Sequence, residues 1–515
     1  MADGTAAAEV RVAATASQPD TEFVKGLGLL SSTTIVIGSM IGSGIFIVSA
    51  DIARRVNSPW LLILTWLVTG FMTMVGALSY GELAAMMPRA GGQYVYLREA
   101  LGPLWGFLYG WTLFLVIQTG TIAAVGVAFG KFLGLFWPAV SADKWIFHIA
   151  HVPPIALGPM TLGNMDVGLN TQNLAAIIIV VVLTAINARG IKTGAMVQNI
   201  FTIAKTSALF GLVLLGLFVG RNAQAIAANF HDFWRNSGPG ATFPDIAITG
   251  LMGAAIAVAV SQTGSLFSSD AWNNITFTAG EVKNPHRNLP LSLALGTGIV
   301  TALYISANFI YLAVLPMSGD PNGTSVLARG IKFATDDRVG TAAMQQMFGS
   351  AGAAAMAVAI LISTFGCCNG LILAGARVYY AMAKDRLFFR RVATLNPRSK
   401  APVVSLVLQG IWTCILTLSG SYNQLLDYII FAVLVFYILT ILGLFVLRAK
   451  RPDAERPYRA IGYPVLPAIY IAMALFIDVI LLRFKPQYTW PGLIIVLLGV
   501  PVYFIWSRRS RAQTA

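Results

Sequence analysis

Two short stretches of the sequence combine residues that weaken a helix with groups able to hold a small polar ligand. Gly38, Gly42 and Gly44 lie within seven residues of one another, and each costs about 1 kcal/mol of helix propensity relative to alanine. Residues 267–274 include serine, aspartate and asparagine, whose side chains compete with a helix for backbone hydrogen bonds. Both stretches therefore predict breaks inside otherwise apolar segments.

Two charged residues lie within the same kind of apolar segment, where a charge is costly and indicates function. Lys205 is flanked by apolar residues on both sides, about nine residues inside its segment, too deep for its ammonium to reach the membrane surface readily. Asp270 lies within the second polar stretch and has two readings, a sensor of a cationic group or a cap for the following half-helix, and capping is favoured. The four histidines fall in predicted loops without nearby cysteines, which predicts no metal site.

The segments that must position these residues are membrane helices. Apolar residues make up 57% of the 515 residues, charged residues make up 11%, and the mean hydropathy is +0.72. A chain with so few charges cannot cover a water-facing surface, whereas long charge-free runs suit a hydrocarbon core roughly 30 Å thick. Twelve spans are predicted, at residues 27–50, 59–82, 101–135, 171–188, 196–220, 247–282, 290–315, 342–382, 402–419, 424–447, 463–483 and 490–507.

The net charge of +14 is unevenly distributed over the loops. Most lysines and arginines fall in connectors that share one side if the N-terminus is cytoplasmic, and this bias predicts a multi-pass protein of the cell (inner) membrane with both termini in the cytoplasm. No basic patch is interleaved with aromatics, so no nucleic-acid partner is expected. Residues 1–24 lack an apolar stretch and are predicted to be a flexible cytoplasmic tail and not a signal peptide.

The two predicted breaks fall in the first and the sixth spans, and the two longest spans, the third and the eighth, are likewise five apart. Paired interruptions at corresponding positions are typical of secondary transporters built from inverted repeats, with a site at the membrane midplane. The alternative is that the glycines only allow close helix packing, and the polar break in the sixth span weighs against it.

The residues around the breaks resemble the amino acid–polyamine–organocation superfamily, and within it the L-type amino acid transporter branch. The matching motifs lie at residues 38–46, 88–94, 267–273, 281–290 and 369–377. The resemblance implies an all-α membrane protein of twelve helices, with a five-plus-five inverted repeat, two extra C-terminal helices, and helices 1 and 6 broken at the midplane. The implied units are the N-terminal tail 1–24, a first repeat 25–220, an outer loop and second repeat 221–450, helices 11 and 12 in 451–507, and a basic cytoplasmic tail 508–515.

The resemblance also implies one substrate site made from both breaks. The N–H groups of Ser43 and Gly44 would bind a carboxylate at the start of a half-helix, and freed carbonyls at Ile41 and near Phe267 would accept an ammonium. Phe267 matches an aromatic gate. The predicted substrate-binding residues are Ile41, Gly42, Ser43, Gly44, Phe267, Ser268 and Ala271, and Asp270 is predicted to gate the site or cap the half-helix.

Two features bear on coupling and selectivity within this resemblance. Lys205 occupies the place of a sodium ion in sodium-coupled relatives, and it would either brace helix 1 against helix 8 through carbonyls or load and release a proton. Ala271 stands where the family often has glycine, and Ser268 and Ser269 make the pocket more polar. These departures favour small or medium neutral substrates.

The sequence therefore predicts a secondary transporter of neutral L-amino acids that works by sodium-independent exchange or facilitated transport. The alternatives are a proton-coupled symporter of amino acids or polyamines and, less favoured because of the short tails, a transporter-like nutrient receptor. No nucleophile elbow or phosphate loop occurs, and no strand precedes the glycine motif. Neither an enzyme activity nor a cofactor is expected.

Animal members of the branch join a single-span glycoprotein through a disulfide in the loop between helices 3 and 4. Here that loop, about residues 137–170, contains no cysteine, and the three cysteines, Cys367, Cys368 and Cys414, fall in predicted helices. No disulfide-linked heavy chain is therefore expected, and the lipid bilayer and the amino acid substrate remain as partners.

Overall fold

The computed structural model describes residues 23–157, 160–163, 165–236, 238–418 and 422–512. Residues 1–22 of the predicted N-terminal tail and residues 513–515 of the predicted C-terminal tail lie outside the described residues. Residues 508–512, also predicted as tail, continue the last helix.

Twelve apolar helices form the bundle within the described residues, as the sequence predicts. Eleven are long and apolar enough to cross a membrane, and the ninth is shorter. In chain order they are α1a Leu29–Met40, α1b Gly44–Val56, α2 Pro59–Met86, α3 Pro103–Leu133, α4 Thr171–Ala188, α5 Ile191–Phe218, α6a Gly250–Ser268, α6b Asn274–Phe277, α7 Pro285–Val314, α8 Val339–Lys384, α9 Val403–Thr417, α10 Tyr422–Lys450, α11 Val465–Phe484 and α12 Pro486–Ala512.

Both predicted breaks are present. Between α1a and α1b the backbone is extended at Ile41, and between α6a and α6b residues 269–273 are non-helical, with Ala271 at φ +63°. A 3₁₀ turn, Ala279–Glu281, follows α6b. Since positive φ favours glycine, Ala271 is held in a conformation that is strained for a residue with a Cβ.

The long third and eighth helices are irregular. Helix α3 contains a π-helical turn at Leu113–Ile117. Helix α8 has non-helical dihedral angles at Phe348 and Gly349, so a short segment, residues 339–347, precedes the part that continues to Lys384. The great length predicted for this span therefore reflects two pieces rather than one straight helix.

The loop between α3 and α4 contains a β-ribbon that the sequence analysis does not predict. Strand β1 (Trp145–Val152) pairs antiparallel with β4 (Met165–Asn170), and β2 (Ile155–Leu157) pairs with β3 (Met160–Leu162). The rings of His151 and His148 lie 2.9 and 3.1 Å from the same carboxylate oxygen of Asp166. These hydrogen bonds hold the pKa of Asp166 below its usual range.

Helix 1 lies at the centre of the bundle. Its apolar window is 94% buried, against 28% for that of α5, so α5 presents much of its surface to lipid. Helices α5, α7 and α8 pack against α1a, and α6a packs against α1b. The two breaks are thereby enclosed by helices on all sides.

Candidate functional site

The break in helix 1 is held by a buried ammonium. Lys205, on α5, is fully buried, and its Nζ donates to the carbonyl oxygens of Gly38 at 2.6 Å, Ile41 at 2.6 Å and Ser363 at 3.3 Å. Gly38 lies in α1a, Ile41 follows the last residue of α1a, and Ser363 lies in α8. The ammonium on α5 therefore joins three helices. These contacts have the geometry expected of a brace, and the role of Lys205, as a brace or as a proton carrier, stays a prediction.

Other side chains reach the neighbouring carbonyls of the same break. Ser363 Oγ lies 3.1 Å from the oxygen of Ile41 and 2.9 Å from that of Gly42. Cys367 Sγ lies 3.1 Å from the Ser39 oxygen, and Tyr304 Oη lies 3.2 Å from the Met40 oxygen and 3.0 Å from the Ser268 oxygen of helix 6. Each of the five consecutive carbonyls from Gly38 to Gly42 therefore lies within reach of a side-chain donor, with the single hydroxyl protons of Ser363 and Tyr304 each shared between two carbonyls.

The predicted role of Ile41 meets a geometric constraint in this conformation. Its carbonyl already accepts from Lys205 and lies within reach of Ser363, and a carbonyl oxygen has two lone pairs. A substrate ammonium would have to share or displace one of these donors. The prediction that this carbonyl binds substrate stays a prediction.

The predicted site residues from the two breaks do meet. A Cβ added at Gly44 would lie 2.1 Å from Ser268 Oγ and 3.1 Å from the Ser268 Cα, and one added at Gly42 would lie 3.3 Å from Cys367 Sγ. The backbones of α1b and α6a therefore touch at Gly44 and Ser268. Ser43, the N-cap residue of α1b, is buried at this junction.

The break in helix 6 is tied to α10 instead. Tyr437 Oη donates to Asp270 at 2.5 Å, and Asn273 Nδ2 donates to Gln93, whose own amide reaches the Phe436 oxygen at 3.2 Å. Asn273, not Asp270, occupies the N-cap position of α6b. The carboxylate of Asp270 therefore points to α10 rather than back to the half-helix.

Two small cavities, of about 20 and 10 Å³, flank Asp270 and Tyr437. One is lined by α3, α8 and Ala271, and the other by Trp272 and Tyr470; neither lining includes Phe267. A volume of this size holds about one water molecule. Neither of these two cavities is large enough to hold an amino acid.

A buried ion pair lies at the end of the bundle that contains residue 23. Arg377 on α8 donates to both carboxylate oxygens of Glu281 at 2.9 and 3.1 Å, and the two side chains are 1% and 2% exposed. The Glu281 carbonyl accepts from Gly26 and Leu27. A second carboxylate, Glu82, pairs with Arg448 on α10.

Several of these residues are not among those predicted from the sequence. Tyr304, Ser363 and Tyr437 are polar residues within predicted apolar spans, and that is the signal by which they could be found. Asp478 on α11 is a further one; it is 4% exposed and has no hydrogen-bond partner for either carboxylate oxygen in the described part of the chain.

The chain is similar to known transporters over nearly its whole length. It is 29% identical to a serine/threonine exchanger of Bacillus subtilis, covering 95% of this chain and 99% of the relative. It is 27% identical to a b(0,+)-type amino acid transporter of Mus musculus, covering 96% and 92%. A third relative, a large neutral amino acids transporter small subunit of Homo sapiens, is 28% identical, covering 95% and 82%.

The family model described as amino acid permease matches residues 27–504. That range contains both breaks, Lys205 and the Arg377–Glu281 pair. The relatives are transporters, not enzymes. The chain belongs to the amino acid permease family and is a multi-pass membrane transporter of amino acids.

Proposed function

We propose that this transporter exchanges amino acids across the membrane without sodium. The single observation that carries the proposal is the position of Lys205 Nζ, which lies within 2.6 Å of two helix 1 carbonyls. Carbonyl oxygens are the kind of ligand that a hard cation such as sodium also requires. Because a fixed ammonium already occupies them, sodium has no place at this break.

The substrate proposed is the zwitterion of a small or medium neutral L-amino acid. Its carboxylate would face the N-terminal end of α1b at Ser43 and Gly44, where the helix dipole favours an anion. Gly42 and Gly44 keep the backbone within reach, and Phe267 would close over the ligand. The relatives named as a serine/threonine exchanger and a large neutral amino acids transporter support this class.

A second candidate substrate is a cationic amino acid or an amine, and one observation favours it. Asp270 is half-buried and lines both cavities, and its side-chain hydrogen bond comes from the neutral Tyr437. A half-buried carboxylate within the bundle that faces a cavity, with no basic partner among the described residues, is well suited to a cationic side chain, or to a proton in the proton-coupled alternative.

We further propose that the end of the bundle that begins at residue 23 faces the cytoplasm of a cell with an inner membrane. The connectors at this end contain most of the arginines and lysines, as the positive-inside rule requires. The absence of cysteine from residues 137–170 supports action without a disulfide-linked partner.

The test is uptake of labelled amino acids into proteoliposomes. Exchange predicts uptake that depends on unlabelled amino acid inside and is unchanged when sodium is replaced by choline. Uptake that needs a sodium gradient would refute the proposed role of Lys205, and uptake driven by an acidic exterior without internal substrate would favour symport. Competition by serine, leucine and lysine separates the two substrate classes.

A further inference from the structure

A second cleft lies far from the two breaks, at the end of the bundle opposite residue 23. Its volume is about 570 Å³, and it lies between the end of α3, the loop of residues 324–338 and the start of α8. Its lining contains Leu135, Phe136 and three alanines of α8, together with the two arginines Arg329 and Arg338 and several hydroxyl and amide side chains. The alanines are Ala353, Ala354 and Ala357.

The cleft contains polar groups without partners. Arg338 is 14% exposed, and its Nη2 pairs with Asp336 at 3.2 Å, but its Nε is buried with no hydrogen-bond partner among the described residues. Thr341, in the same lining, has a buried Oγ1 that likewise finds no partner in the described part of the chain. Burial lowers the pKa of Arg338. An anionic oxygen in the cleft would supply the acceptor that the guanidinium lacks.

The charge around the cleft is positive. Lys131 Nζ donates to the Asp336 backbone carbonyl at 3.1 Å. Arg329 donates to the Gly323 carbonyl at 2.8 Å and to a threonine hydroxyl. Asp337 is engaged by Arg54 outside the lining. Arg329 and Arg338 line the cleft, and among the described residues no acidic side chain does, so its positive charge favours an anion.

The cleft also lies at the level of a membrane surface. Leu135, Phe136 and Trp137, at the end of α3, are 43%, 46% and 64% exposed, and Phe348 at the kink of α8 is 41% exposed. Aromatic side chains of this kind gather at the membrane–water boundary. The small alanines of α8 line the cleft, and Ala354 among them is exposed.

We propose that this cleft binds an anionic phospholipid of the adjacent leaflet. The phosphate lies between Arg329 and Arg338, since guanidinium groups match phosphate geometry well, and one acyl chain lies along Ala353 and the exposed Ala354. The bound lipid would join the end of α3, the loop before α8 and α8 itself, three elements at the end of the bundle opposite residue 23.

The test uses native mass spectrometry of the purified full chain with phosphatidylglycerol or phosphatidylcholine added. The wild type is expected to retain phosphatidylglycerol at least five-fold better than phosphatidylcholine. The double variant Arg329→Gln, Arg338→Gln should lose this preference, and Ala353→Phe should weaken binding of both lipids at the same site by filling the cleft. The control is Arg221→Gln, an exposed arginine at the same end, which should behave as the wild type.

Folding of each variant is checked by size-exclusion chromatography and by its melting temperature without lipid. If the double variant does not fold, Ala353→Phe, which keeps both arginines, decides the question. Equal retention of phosphatidylglycerol by the wild type and the folded variants would overturn the proposal. If inorganic phosphate raised the melting temperature as much as phosphatidylglycerol does, the proposal would also be overturned, because a free anion would then suffice.

Discussion

The two helix breaks differ in what occupies them. In helix 1 the five carbonyls from Gly38 to Gly42 meet side chains of α5, α7 and α8, including the Lys205 ammonium. In helix 6 the break has a carboxylate, Asp270, that faces two cavities and a single tyrosine of α10. The first break is fixed by donors from its surroundings, whereas the second keeps an acceptor beside open space.

This difference suggests a division of roles between the breaks. The fixed start of α1b at Ser43 and Gly44 suits the carboxylate that all amino acids share, because the geometry of its N–H groups does not vary. A carboxylate beside a cavity suits the part that varies, the side chain. Variants at the first break should then reduce transport of every substrate, and variants at the second should change which substrate is preferred.

The largest effect is expected for Lys205→Ala. The substitution removes three hydrogen bonds and leaves the buried Gly38 carbonyl without the Lys205 donor. Each unsatisfied buried group costs about 1–3 kcal/mol. Uptake per reconstituted protein should fall at least 100-fold for all amino acids, and the melting temperature should also fall. The matched control is Lys192→Ala, an exposed lysine at the start of the same helix. Normal uptake by the Lys205 variant would contradict the brace.

Gly44→Val should also abolish uptake, with less effect on insertion. The added Cβ would lie 2.1 Å from Ser268 Oγ, so α1b and α6a would have to separate where the two breaks meet. The double variant Gly44→Ala, Ser268→Gly should recover part of the activity that Gly44→Ala alone loses. Gly28→Ala is the control, since a Cβ there meets no atom within 4 Å. Undiminished transport by Gly44→Val would show that the contact between Gly44 and Ser268 is not part of the substrate site.

The breaks themselves could be predicted from the sequence because glycine and polar residues weaken a helix locally. Their partners could not. Tyr304 and Ser363 lie in apolar spans that show no strong periodicity, and only the packing of α7 and α8 places their hydroxyls against helix 1. Likewise Glu281, near Lys283 and Arg287 in sequence, pairs with Arg377, which is 96 residues away. The β-ribbon was missed because an apolar outer loop has no distinctive signature.

Asp270→Asn tests the second break and should alter selectivity rather than abolish transport. The amide keeps the size of the side chain and the hydrogen bond with Tyr437 but removes the negative charge. Inhibition of serine uptake by lysine should weaken about ten-fold, while serine uptake itself stays within about three-fold of wild type. Asp245→Asn, on an exposed loop, is the control. Equal loss of uptake for all substrates would contradict the proposal that the second break sets substrate preference.

The smallest effect is expected for Ala271→Gly. Ala271 has a φ of +63°, a conformation that costs a residue with a Cβ about 1 kcal/mol and costs glycine little. The glycine variant relieves this strain in the folded state but raises the conformational entropy of the unfolded chain. Because the two effects on stability oppose each other, the melting temperature should change by no more than about 2 °C. The lost methyl group lines the cavity on the α3 side, so larger neutral amino acids should compete about two- to three-fold better against serine uptake. Unchanged competition by leucine would show that substrate side chains do not reach this side of the break, and selectivity would then have to lie with Phe267.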